Sequence, residues 1–279
     1  ELSCDEAFEG MDIVLGAASN DLAKRMAPHI RAAGAVFVDN SSAFRLDPDV
    51  PLVVPEINAE DAYTHKKGII ANPNCSTIIT LMALAPIARI SPIETIVAST
   101  YQAVSGAGAN GLAELEAQAQ AYPKGEPLTA NAFPHQILFN LLPRIGGIGE
   151  NGYSSEEMKL QNEGRKILHL PELRVTCTCV RVPVMRSHSI SATFTTKRPV
   201  SVEEARAAIA AAEGVQLVDD PNNDVYPMPL DTSDQDDVFV GRIRRDLVSE
   251  NGLTLWCCGD QIRKGAATNA VQIAELLVK

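Results

Sequence analysis

Aromatic residues are scarce in this chain: Phe, Trp and Tyr make up 5% of its 279 residues, with a single Trp. No apolar run reaches the roughly 20 residues needed to span a bilayer. The opening "ELSCDEAFEG" has neither the basic segment nor the apolar stretch of a secretory signal. Positive charge is also short, with 24 Lys and Arg against 35 Asp and Glu and a formal net charge of −11. Such a balance gives no field to attract nucleic acid or an anionic membrane surface. A cytoplasmic enzyme acting on a small molecule is the expectation, and an anionic substrate would need a local cluster of cations.

Cysteine is too sparse for a disulfide scaffold: six residues, at 4, 75, 177, 179, 257 and 258, in a chain long enough to bury its own core. The five histidines are scattered, so no metal site is expected. Cys177 and Cys179 share one side of the strand-like "LRVTCTCVRVPV", and Cys257 and Cys258 follow Trp256 in another apolar strand. All four read as packing residues. One more absence concerns the start of the chain. No G-x-G-x-x-G turn accompanies the first strand, so the chain is expected to enter a nucleotide-binding fold part-way, with weakened cofactor binding.

The first third reads as strand, helix, strand. "MDIVLGA" is a buried strand, "NDLAKRMAPHIRAAG" has helical period with Asn20 at its N-cap, and "AVFVDN" is the next strand. A crossover of this length implies parallel neighbours. "PLVVPEIN" and "GIIANPN" read as further strand-like pieces, and "STIITLMALAPIA" as a buried helix ending near Pro86. Beyond Ala88 come strands with polar alternation, among them "ETIVASTYQAV", "VTCTCVRVPV", "SISATFTT", "DDVFVGRIR" and "LTLWCCG". The capped helices "SSEEMKLQNEGRKIL" and "SVEEARAAIAAAE" lie among them, and "GAATNAVQIAELLVK" closes the chain as an amphipathic helix. The expected fold is α/β: an incomplete, Rossmann-like, doubly wound parallel sheet joined to an α+β domain on a largely antiparallel sheet. The boundaries are expected at 1–74, with 262–279 returning to the first domain, and 75–261.

Cys75 stands apart from the other thiols. It lies between a strand-like run and a helix-like one, where the positive end of the helix favours thiolate and lowers the pKa. From spacing alone a small buried hydrophobe fits equally well. Asn74 could donate to a developing oxyanion. "RVPVMRSHS" brings Arg181, Arg186 and His188 to one strand end, where a cation could hold a carboxylate beside a base, although a solvated turn histidine fits too. Glu156 and Lys159 are one helical turn apart and read first as an exposed salt bridge. Arg45 alone is an ordinary surface arginine.

Together "VDNSSAFRLDPDVPLVVPEIN", "NPNCST", "YQAVSGAG", "EEMKLQNEGRKIL", "RVPVMRSHS" and "DQIRKGAATNAVQIAELL" resemble the aspartate-semialdehyde dehydrogenase family, in order and over essentially the whole chain. The resemblance implies NADPH-dependent reduction of β-aspartyl phosphate to aspartate β-semialdehyde and phosphate, leading towards lysine, threonine, methionine and diaminopimelate. By motif, it makes Cys75 the nucleophile, His188 the acid/base and Gln102 the residue that orients the acyl intermediate. Arg181 would bind the substrate carboxylate and Glu156 the amino group, with Lys159, Arg45 and Asn74 forming the phosphate site. Gly16, Ser105, Gly106 and Asn269 would hold the nicotinamide end of NADP. It further implies a homodimer, or a dimer of dimers, through the large second sheet. N-acetyl-glutamyl-phosphate reductase shares the cysteine logic but has N-P-G-C-Y where this chain has Asn72, Pro73, Asn74, Cys75 and Ser76. Malonyl-CoA reductases are also similar, and a non-catalytic dimerisation module is the reading from another class.

Overall fold

A computed structural model describes residues 5–278 of the chain. The first unit is a parallel sheet of β1 (Ile13–Gly16), β2 (Val36–Asp39) and β3 (Ile69–Ala71), in that order across the sheet. Helix α1 (Asn20–Ala32) makes the crossover between β1 and β2. Its N-cap is Ser19, whose side chain accepts from Leu22 N–H, and not Asn20, whose amide is drawn instead to Ser42 at 2.9 Å.

"PLVVPEIN" does not form the strand its composition suggests. Pro51 and Pro55 lack the N–H that a ladder needs, so Leu52 makes only an isolated bridge to Ala71 and the chain turns into the short helix α2 (Pro55–Asn58).

Helix α3 (Cys75–Ile90) is the axis of the molecule. Every residue from Ser76 to Ile87 is buried, so it has no polar face and is held by packing on all sides. The helix runs past Pro86 and ends at Ser91. Ser91 adopts an extended conformation, as expected of a residue preceding proline, here Pro92.

The second unit is a six-stranded mixed sheet of order β5-β4-β6-β9-β8-β7. Its strands are β4 (Ile93–Gln102), β5 (Arg174–Arg181), β6 (His188–Thr196), β7 (Val215–Leu217), β8 (Val238–Arg245) and β9 (Gly252–Gly259). The pairs β4–β6, β6–β9 and β8–β9 are antiparallel, while β4–β5 and β7–β8 are parallel. The short strand β7 has no signature in the sequence pattern. Helix α4 (Ala109–Ala121) follows β4, and α7 (Pro229–Thr232) precedes β8. Helices α5 (Ser155–Ile167) and α6 (Val202–Ala210) each start in a capping box, at Ser154 with Glu157 and at Ser201 with Glu204.

Helices α3, α5 and α6 cover one face of this sheet, with Ile96, Ala98, Cys177, Cys179, Ile190 and Phe194 beneath them. Cys177 and Cys179 place their sulfurs 3.7 Å apart, and all five cysteines among the described residues are free. The opposite face is open along β4 but covered at the end of β9, where Trp256 and Cys258 donate to the Pro227 carbonyl. Val97 is 55% exposed, and Tyr101 lies against Trp256 with ring centroids 5.4 Å apart.

The closing helix α8 (Thr268–Val278) returns to the first sheet, packing Ala270 and Ile273 against Val38, Val53 and Ile70. The chain enters α8 through a π-helical turn, Arg263–Ala267, that carries a buried lysine. Lys264 Nζ donates to Glu56 at 2.5 Å, Gln272 at 2.7 Å and Asn269 at 2.9 Å. One ammonium thus ties α2 to the closing helix. Breaking a buried pair leaves a desolvated charge without a partner. Lys264→Met is therefore expected to destabilise the fold by about 3–5 kcal/mol, read as a lower urea midpoint. Adding Glu56→Gln should restore a large part of that loss.

Candidate active site

The nucleophile candidate is the first residue of α3, directly after β3. Asn74 is the N-cap: its side-chain oxygen accepts from the backbone N–H groups of Ser76 at 3.1 Å and Thr77 at 3.3 Å. Its Nδ2 donates to Glu156 at 3.1 Å, and its backbone N–H to Glu163 at 2.7 Å. Asn74 is thus fixed by helix α5 while it caps α3, and its amide is taken by protein partners. Gly265 of the π-helical turn lies against Cys75, since a Cβ there would stand 3.0 Å from that of Cys75.

Around Cys75 the second sheet delivers the other candidates from its strand ends. Gln102 closes β4, Arg181 closes β5, and His188 opens β6. Gln102 Nε2 donates to Glu156 at 3.2 Å and stands 3.4 Å from His188 Nε2, while Thr100 donates to its Oε1 at 3.0 Å. Glu156 also takes an ion pair from Lys159 at 2.8 Å. The pair read first as an exposed helical bridge is half-sunk in the site, with the Glu156 side chain 9% exposed. Burial pushes the Glu156 carboxyl up, but Lys159, Asn74 and Gln102 outweigh it and hold the group below its ordinary value.

His188 is fully buried, not a solvated turn residue. Backbone N–H of Ala103 donates to its Nδ1 at 3.0 Å. An amide N–H can only donate, so Nδ1 is the acceptor and the neutral ring carries its proton on Nε2, facing the site. Burial, with Arg181 adding to it, lowers the pKa to about 3. Ser187 just before it has φ +71°, a strained value for a residue with a side chain. Its N–H to Gln261 at 3.0 Å and its hydroxyl at 2.6 Å from Thr232 hold it there.

Arg181 donates to the carbonyl of Ala103 at 2.7 Å, lies over the Phe133 ring at 6.0 Å, and makes no ion pair among the described residues. Its cationic character is therefore uncommitted. Arg186 is not part of this group, being paired with Asp234 and Asp260 at 2.6 Å each. Arg45 reaches the site from the loop after β2. Its guanidinium contacts Glu163 at 3.1 Å and the carbonyl of Asn40 at 2.8 Å, while its Nε is buried without a partner.

The direction expected for the Cys75 pKa is reversed. Burial, then the Glu156 carboxylate, push the Cys75 thiol up to about 12, against the opposing pull of Arg45, Lys159 and Arg181. Burial and Glu156 outweigh three cations, although the Cys75 residue keeps some surface exposed.

Of the residues expected to hold a nicotinamide, Ser105 and Gly106 lie in the catalytic centre. A Cβ on Gly106 would stand 2.6 Å from Arg181 Nη1 and 3.1 Å from the His188 ring, so a side chain there would displace the guanidinium. Gly106, Ala107 and Gly108 present exposed backbone there, with open space around Gly108. That suits the close approach of a flat ring. Gly16 and Asn269 are placed differently. The Gly16 carbonyl accepts from Asn40 N–H at 3.0 Å and its Nδ2 at 2.8 Å, and a Cβ at Gly16 would collide with Phe37. Asn269 is fully buried, accepting from Lys264 and donating to Val53 and to Asn72. Asn72 in turn donates to Asn40. Asn269 thus stiffens the carboxyl edge of the first sheet from behind. Glu163, Gln261 and Gly265 were not anticipated. Spacing offered a signal only for Glu163, one heptad after Glu156 on the same helix face.

The chain matches two family models, a semialdehyde dehydrogenase dimerisation domain over residues 84–264 and a semialdehyde dehydrogenase NAD-binding domain over residues 1–65. It is 52% identical to aspartate-semialdehyde dehydrogenase of Aquifex aeolicus, over 100% of this chain and 82% of that protein. It is 53% identical to the enzyme of Synechocystis, over 98% and 80%. Among solved structures, aspartate semialdehyde dehydrogenase II of Vibrio cholerae complexed with ASA superposes with a TM-score of 0.93 at 43% identity, over 96% of this chain and 79% of that one. The Candida albicans enzyme with NADP superposes with a TM-score of 0.74 at 27% identity, over 96% and 77%.

The buried, acceptor-bound imidazole predicts that His188 stays neutral where an ordinary histidine protonates, near 6.5. Its ring NMR signals should be unchanged from pH 8 to pH ~4, given a pKa of about 3. The unfolded chain binds the extra proton across that window. This contribution to stability is therefore full above ~6.5 and declines as pH falls towards 3. His188→Asn should flatten that part of the acid limb.

Proposed function

Since the chain belongs to the aspartate-semialdehyde dehydrogenase family of oxidoreductases, we propose that it reduces β-aspartyl phosphate to aspartate β-semialdehyde and phosphate through a thioester on Cys75. The observation that carries this reading is the convergence beside Cys75 of Asn74 and Gln102, both bonded to Glu156, with the His188 ring 3.4 Å from the Gln102 amide, from four separate elements. The pathway role is amino-acid biosynthesis towards lysine, threonine, methionine and diaminopimelate.

In the proposed reaction Arg181 takes the substrate carboxylate and Glu156 the amino group, while Arg45 and Lys159 receive the phosphoryl group. Cys75 sulfur attacks the acyl carbon, the carbon–oxygen bond to phosphate breaks, and the thiol proton departs on the leaving phosphate. A nicotinamide cofactor, NADPH in this reading, supplies the hydride that reduces the thioester when bound beside Ser105 and Gly106. His188 Nε2–H donates to the oxygen that gains charge at the acyl carbon, and Gln102 orients that carbon. The oxygen takes one proton from solvent as the hydride adds, and collapse of the thiohemiacetal breaks the carbon–sulfur bond, re-forms the carbonyl and hands that proton to the sulfur, so Cys75 returns to the thiol.

We also assign self-association to the open part of the second-sheet face opposite the helices, where exposed Val97 and Tyr101 are joined by half-buried Thr95, Thr193 and Trp256. The six-strand sheet lies within the stretch matched by the dimerisation-domain model. Tyr101→Asp should shift the chain towards monomer in sedimentation at micromolar concentration. A wild-type chain that sediments as a monomer would count against the assignment.

Activity is tested in reverse, with aspartate β-semialdehyde, phosphate and NADP, following nicotinamide absorbance. Cys75→Ala should remove phosphate-dependent turnover altogether. Preference for malonyl-CoA or N-acetylglutamyl phosphate in the forward direction would overturn the substrate assignment. With Arg181→Ala the KM for the semialdehyde should rise at least ~10-fold, as expected when a buried charge-assisted contact is lost.

A further inference from the structure

Glu163 belongs to none of the roles above, yet it is the most deeply placed carboxylate beside the nucleophile, with 2% of its side chain exposed. Both oxygens are used. Oε1 accepts from Arg45 Nη1 at 3.1 Å, and Oε2 accepts from Asn74 N–H at 2.7 Å. Each oxygen thus accepts from a donor, and one of the two donors is a cation, a set of partners that suits the carboxylate. On balance its pKa is raised, because burial outweighs the opposing pull of Arg45 and the Asn74 N–H. Lys166, one turn further along α5, donates to the carbonyls of Arg45, Asp47 and Val50 at 3.0, 2.7 and 2.5 Å and fixes the loop that carries Arg45.

The consequence concerns Arg45. A guanidinium that is to receive a phosphoryl group is already matched by a fixed negative charge on the side of the helix. A carboxylate in this position competes electrostatically with any anion that Arg45 holds, and partly desolvated surroundings strengthen the effect. A reaction that liberates phosphate gains from such a brake, because a fully unmatched cation would retain the product. We propose that Glu163 is a positioning counter-charge that orients Arg45 and keeps the affinity of the adjacent anion pocket for phosphate low. The inference rests on the reading of the Arg45 pocket as the phosphoryl site.

The test is inorganic phosphate binding to the 279-residue chain, followed by 31P NMR line broadening and needing neither cofactor nor turnover. Glu163→Gln is nearly isosteric and can keep the Asn74 bond through its amide oxygen. It should bind phosphate about 10-fold more tightly, the order expected on removing one neighbouring charge. Structural damage alone does not tighten binding. In an Arg45→Gln background the same change should tighten binding less, because only the direct repulsion between Glu163 and the anion is left to remove. If Glu163→Gln does not fold, Glu163→Asp, which withdraws the charge from Arg45, should show a smaller shift in the same direction. Unchanged or weaker phosphate binding in a folded Glu163 variant, beside a wild type that binds, overturns the counter-charge role alone. A wild-type chain that binds no phosphate across the millimolar range overturns the pocket assignment and the counter-charge role with it.

Discussion

The molecule depends on how one asparagine is held. Helix α3 is buried from Ser76 to Ile87, so its N-terminus cannot be satisfied by water along most of its circumference. Asn74 meets that need with a side-chain oxygen shared by Ser76 and Thr77, and is itself fixed by Glu156 and Glu163 of α5. The consequence is geometric. The residue that follows the cap is Cys75, so the same bonds that end the helix place the sulfur against the strand ends of the second sheet. Gly265 then sets how closely the closing segment can approach it.

Helix α5 gives the site its charge pattern. Glu156, Lys159, Glu163 and Lys166 fall at spacings of three and four along one face, and each binds a different part of the surroundings. Glu156 takes Asn74 and Gln102, Glu163 takes Arg45 and the Asn74 backbone, and Lys166 takes three carbonyls of the Arg45 loop. A surface helix with this alternation would gain a few tenths of a kcal/mol from its pairs. Here the same alternation is spent on aligning four segments of chain that are remote in sequence.

Much of this was legible in the letters. The parallel β1–β2 pairing, the helix after Cys75, the capping boxes of α5 and α6 and the return of the last helix all follow from local period and cap chemistry. The strand ends that converge on Cys75 were legible only through motif resemblance, because nothing local to "RVPVMRSHS" says that His188 is buried. The errors have physical causes. "PLVVPEIN" looked like a strand because its apolar content outweighed two prolines without donors, and Asn20 was taken for a cap that Ser19 provides. The surroundings of Asn269, which was expected to hold the nicotinamide end, are a different matter: its partners Lys264, Val53 and Asn72 come from three other places in the chain and could not be read locally. The raised pKa of Cys75 was missed for a similar reason. A helix end is visible in sequence, whereas the loss of water around a sulfur is a property of the assembled fold.

That raised pKa constrains the chemistry. In the resting site Lys159 is matched by Glu156 and Arg45 by Glu163, which leaves Arg181 as the cation with no carboxylate partner. A chain of formal charge −11 can thus admit an anionic substrate without maintaining a strongly positive, destabilised pocket. An incoming carboxylate and phosphoryl group bring more negative charge to the sulfur, which disfavours a free thiolate still further. His188 cannot accept the proton in the tautomer that Ala103 N–H imposes, because its Nε2 already carries one. In the reaction proposed above, the acceptor closest in chemistry is the leaving phosphate itself, which gains basicity as its bond to the acyl carbon weakens. Proton transfer concerted with attack then needs no stable thiolate, and it leaves the imidazole N–H free to bind the oxygen on which charge develops.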